Sequence, residues 1–164
     1  MVAVASWRTQ GSLAYLVWAL VGILPLVFLM FWQVYRGRWG NVDASNPSER
    51  PALFAGTLLI LGLLLWWLWI SDSAAILIRG VVIAAILLVV SAIITYWIKL
   101  SLHSAFAAMA TVALSLHDST VGYLLIGVTP VLVWSRLVLS RHTKAEIAAG
   151  LIVGVAAGLA LVYA

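Results

Sequence analysis

The sequence predicts an all-α fold, a polytopic transmembrane helical bundle of about six spans. Three observations carry that prediction. Of the 164 residues, 65% are hydrophobic and 9% are charged, whereas a soluble globular domain runs roughly 45–50% apolar and about 25% charged. The mean hydropathy of +1.17 describes more oily surface than a sphere of this size hides from water, so lipid must replace solvent over much of it. Finally, the apolar residues fall in runs long enough to cross about 30 Å of hydrocarbon at 1.5 Å per residue. Disorder and a disulfide scaffold are excluded, and the absence of cysteine removes thiol catalysis and Cys-ligated metal. The net charge of +4 rests on nine Lys and Arg that belong near helix ends, which argues against a nucleic-acid partner.

The elements follow from these runs and their breaks. Residues 12–35 form a first apolar run, too long for a cleaved signal segment and followed by no small-residue cleavage pattern, so a retained span is expected. The second, 51–70, opens with Pro51 at a first-turn position and ends in Trp66, Trp67 and Trp69 near an interface. Ser71-Asp72-Ser73 is a turn. The third run, 74–98, is long enough to cross with tilt, and Arg79 near its start snorkels outward. The fourth, 100–116, is short and rich in Ala and Ser, as suits a helix packed inside the bundle. His117-Asp118-Ser119-Thr120 reads as an ordinary polar turn. The fifth, 121–139, is interrupted by Pro130, and the sixth starts at Lys144. In it, Gly150, Gly154 and Gly158 recur every fourth residue, which suits a packing seam inside the bundle or between two copies of the chain in a homo-oligomer. No internal repeat or linker divides the chain, so residues 1–164 are expected to form one membrane-embedded domain.

Threading six spans back and forth places the connections at 36–50, 98–103 and 136–144 on one side. That side holds seven of the nine cations (Arg36, Arg38, Arg50, Lys99, Arg136, Arg141 and Lys144), together with His103 and His142. Asp43, Glu49 and Glu146 fall there as well, while Arg8, Arg79, Asp72, Asp118 and His117 fall opposite. A positive-inside bias accounts for the cations alone. It does not account for two of three histidines joining them, nor for Arg50, Lys99 and Arg136 at span edges; an anionic lipid headgroup needs such a surface.

Three clusters on that side carry a resemblance. Ser135-Arg136, five residues, His142, three residues, Glu146 is the strongest; Leu100-Ser101-Leu102-His103 is the second; Asp43, six residues, Arg50-Pro51 is the third. Together they resemble the signatures of the type 2 phosphatidic acid phosphatase superfamily, integral membrane lipid phosphatases, over residues from about 43 to the end. The chain departs from the family pattern in Glu146 for Asp, Leu102 for Gly and Asp43 for Lys. The resemblance implies metal-independent and cofactor-free dephosphorylation of a membrane lipid phosphate or isoprenoid (di)phosphate. His142 attacks phosphorus to form a phosphohistidine, and His103 is the acid for the leaving oxygen and then the base for water. Glu146, one turn from His142, is placed to orient the imidazole, although with Thr143 it also spells a capping box. Arg50 and Arg136 clamp phosphate oxygens or, as ordinary anchors, snorkel. Ser101 adds a hydroxyl at a helix start, and Lys99 stands in for the lysine missing at Asp43.

Other readings remain. The same site serves a phosphotransferase if an alcohol replaces water; with Asp43 in place of lysine, a non-catalytic protein binding anionic lipid is a third class; and His103, His142, Glu146 and Asp43 form a conceivable metal set. The expected location is a multi-pass protein of the cell membrane, with the side of the site left open.

Overall fold

The computed structural model describes residues 13–42, 46–117 and 119–163. Asp43, Arg8, Asp118 and the side chain of His117 lie outside the described residues. Within them the chain is all-helical: α1 (Leu13–Tyr35), a 3-10 turn (Pro47–Glu49), α2 (Arg50–Ile70), α3 (Ala75–Ile94), α4 (Leu102–His117), α5 (Ser119–Val138) and α6 (Lys144–Tyr163). Four of these, α2, α3, α5 over Val121–Val138 and α6, are long and apolar enough to cross a membrane. With 16 residues, α4 rises only about 24 Å, less than a hydrocarbon core, and is the short Ala- and Ser-rich helix expected.

The sequence leads one to expect a third helix reaching residue 98; it ends at Ile94. There the Ser91 carbonyl accepts from both the Thr95 amide at 3.0 Å and the Thr95 hydroxyl at 2.7 Å. The Tyr96 and Trp97 amides then bond to Ile93 and Ile94, an i−3 pattern that tightens and closes the last turn.

The chain forms two compact units, one ending at Val82 and the next beginning at Ile83, so the boundary falls inside α3. In the first unit, Leu29 of α1 packs over Gly56 of α2, where a Cβ has no room. Leu68 of α2 meets Leu77 and Val81 of α3 in a small apolar core. The loop after α1 is organised by the buried Glu49, whose carboxylate accepts from the Gly40 amide at 2.8 Å and from Asn46 Nδ2 at 2.9 Å. Pro51 stands at the start of α2, where its missing N–H costs nothing.

In the second unit, α4 and α6 run parallel in close contact. A Cβ on Gly150 would sit 2.6 Å from the Ser101 carbonyl oxygen, one on Gly154 would strike the Ala105 carbonyl, and one on Gly158 would lie 2.9 Å from the Met109 carbonyl. The glycine row is therefore a seam within the chain, covered by α4, and not a face left for a second copy. Antiparallel α5 packs on α4 through Gly122 against Ser115, and through a Thr111–Thr129 hydroxyl pair at 2.7 Å. Thr111 donates its own proton to the Ala107 carbonyl, so Thr129 is the donor of the pair.

Candidate functional site at the shared start of two helices

Three helices of this chain end in the same hydrogen-bonded motif, in which a residue in the left-handed region closes the last turn. Gly37 (φ 66), Asp72 (φ 47) and Ser140 (φ 51) occupy the left-handed position. After α5, the Ser140 amide bonds to the Leu137 carbonyl at 2.9 Å and the Arg141 amide to the Arg136 carbonyl at 3.1 Å. This reverses the chain within five residues and delivers His142 to the start of α6. Ser135 donates its hydroxyl to the Leu132 carbonyl at 2.7 Å, so it supports α5, and half-buried Arg136 lies in the last turn of that helix.

At the start of α6, Glu146 makes the bonds of a helix cap and also meets His142. Glu146 N donates to Thr143 Oγ1 at 3.3 Å, and Thr143 N donates to Glu146 Oε2 at 3.1 Å, the reciprocal bonds of a capping box. The same Oε2 lies 3.0 Å from His142 Nδ1, with the two side chains 9% and 17% exposed. A carboxylate accepts only, so this contact fixes the proton of a neutral imidazole on Nδ1 and leaves the lone pair on Nε2. One carboxylate thereby caps the helix and selects the histidine tautomer.

The start of α4 is tied to the same place. Ser101 N donates to the Glu146 carbonyl at 3.2 Å, and the Lys99 ammonium donates to the Arg141 carbonyl at 3.3 Å, one residue before His142. Lys99, Ser101, His142 and Glu146 are thus brought together within one unit by three hydrogen bonds, with Lys99 joined through Arg141, the residue before His142. His103 is exposed on the first turn of α4, at the same end. Ser101 is fully buried, and its hydroxyl accepts from Ser104 at 3.0 Å; in this arrangement it holds the helix start and is shut off from a solvent-borne phosphate. The sequence reading overlooked Ser104, although its i,i+3 spacing from Ser101 on one helix face is a readable signal. Arg50 belongs to the first unit, 5% exposed at the start of α2, and its role rests on the motif alone.

Because α4 and α6 are parallel and start together, the positive ends of two helix dipoles lie at the end of the unit that carries His142 and Lys99. The arrangement favours an anion. Among the described residues, no three His, Asp or Glu side chains gather as a metal-ligand set. No protein-family model, curated protein or solved structure matches the chain.

Proposed function

We propose that the chain is a multi-pass integral membrane phosphatase of the cell membrane, acting without metal on a lipid phosphate or isoprenoid (di)phosphate through a phosphohistidine. The observation that carries this reading is the His142 Nδ1–Glu146 Oε2 contact of 3.0 Å at the shared start of α4 and α6. It supplies what a histidine nucleophile needs: a defined tautomer, a fixed aim and, in the two helix starts, charge complementary to phosphate.

His142 Nε2 attacks phosphorus, the bond from phosphorus to the leaving oxygen breaks, and His103 gives that oxygen its proton. Glu146 stabilises the imidazolium character that develops on His142. A water that has lost its proton to His103 then attacks the phosphohistidine, the N–P bond breaks, and inorganic phosphate leaves. Lys99 uses one of its three N–H donors on the Arg141 carbonyl and keeps the others for phosphate oxygens. Arg136 offers a planar fork to the same oxygens. Ser101 acts through position, since its amide joins the two helix starts.

The test is phosphate release by the purified chain in detergent with a chelator present, from phosphatidate, phosphatidylglycerol phosphate and isoprenyl phosphates and diphosphates. Release that persists in chelator and is lost in His142→Ala is the expected result. Chelator-sensitive release would refute the metal-free mechanism, and no release from any lipid would leave a binding protein. Transfer to an added alcohol in place of water would reassign the site to a phosphotransferase.

A further inference from the structure

We propose that the turn at residues 95–99 and the first turn of α6 form a docking surface for anionic phospholipid headgroups, which seats this end of the second unit at the membrane–water interface. The proposal rests on the membrane reading above; it shares Lys99 and Arg136 with the proposed phosphate site, and Tyr96, Trp97, Arg141 and Lys144 support it independently. Where α3 stops at Ile94, Tyr96 and Trp97 project 87% and 81% exposed, with their rings edge to face at 6.4 Å. Each ring joins an apolar body to a polar tip, and such a ring is at home only where one side is oily and the other wet. Lys99, two residues after Trp97, is bonded to the Arg141 carbonyl, which ties the aromatic turn to the loop ahead of α6.

The charge at this end is one-sided. Residues 95–104 and 135–146 carry Lys99, Arg136, Arg141 and Lys144 against the single acid Glu146, a density that attracts anionic lipid beside a span. Lys144 is informative because it is exposed at the first position of α6, where a cation opposes the helix dipole. The one acid of that turn, Glu146, is engaged by His142 and Thr143, so an external anion adds to the compensation of the Lys144 charge. Free phosphate would satisfy the cations but gives the aromatic pair nothing; a bilayer of anionic lipid satisfies both.

The full chain is reconstituted into vesicles with lipid brominated either near the headgroup or near the acyl end, and the emission lost in Trp97→Phe isolates Trp97. Quenching of the remaining tryptophans by either lipid reports embedding itself, so failure of the membrane reading shows separately. No turnover is read, so failure of the catalytic reading leaves the result intact. The expected result is stronger quenching of Trp97 by shallow than by deep bromines. At equal mole fraction, brominated phosphatidylglycerol quenches more than brominated phosphatidylcholine, up to roughly fivefold local enrichment per cation. Arg141→Gln with Lys144→Gln, or Lys144→Gln alone, lowers that headgroup preference and keeps the depth. Deep quenching, quenching by aqueous iodide without any lipid effect, or equal quenching by the two headgroups would overturn the proposal.

Discussion

A single carboxylate oxygen, Glu146 Oε2, receives both His142 Nδ1 and the Thr143 amide, and substitution separates its two duties. Glutamine keeps the capping geometry, since Gln serves at this position, but loses the charge that stabilises an imidazolium. Glu146→Gln is expected to lower kcat about 10²- to 10⁴-fold with an almost unchanged unfolding midpoint. Glu146→Ala is expected to lose the same activity and about 1 kcal/mol of stability as well; detergent unfolding followed by circular dichroism separates the two. Ser140 gives a second test at this scale, because its φ of 51 is a conformation that costs a residue with a Cβ about 1–2 kcal/mol. Ser140→Gly is expected to raise stability by about 1 kcal/mol or less, with helix content unchanged, and a loss of stability would show that the serine side chain earns its place. The histidine–carboxylate spacing was legible in the sequence as i,i+4. The partner of Lys99 was not, because it is a backbone carbonyl, and no residue identity announces one.

At the scale of elements, the glycine row predicted a close approach and left its partner open; the Ser101, Ala105 and Met109 carbonyls against it identify α4. This packing sets the site, since the Ser101–Glu146 backbone bond lies at the top of the same seam. Gly154→Ala is expected to destabilise the fold by about 1–3 kcal/mol through overpacking. Gly127→Ala is its control: nothing lies within 4 Å of a Cβ there, and the gain in helix propensity, up to about 1 kcal/mol, makes it neutral or stabilising. Equal unfolding midpoints for the two variants would contradict the seam. The helix boundaries were readable wherever an apolar run met a polar break. The end of α3 was hidden because Tyr96 and Trp97 prolong the apolar run, while the helix closes through their own amides bonding three residues back to Ile93 and Ile94, which no residue identity announces.

At the scale of the whole chain, composition and the length of the apolar runs together conveyed the all-helical class and the apolar helices, since 9% charge cannot coat a soluble protein and the runs are of helix-spanning length. Composition did not convey the division into two compact units with a boundary inside α3, because the nearby Arg79-Gly80 does not interrupt a helix that runs on from Ala75 to Ile94. The functional account depends on one covalent event, and the measurement that reaches it most directly is rapid quenching of the full chain with a labelled lipid phosphate into alkali, with the phosphoryl group located by peptide mass spectrometry. An acid-labile, alkali-stable phosphoryl group on His142, absent in His142→Ala, is the expected result. Phosphate released at an undiminished rate by His142→Ala, or a phosphoryl group found on any other residue, would contradict it.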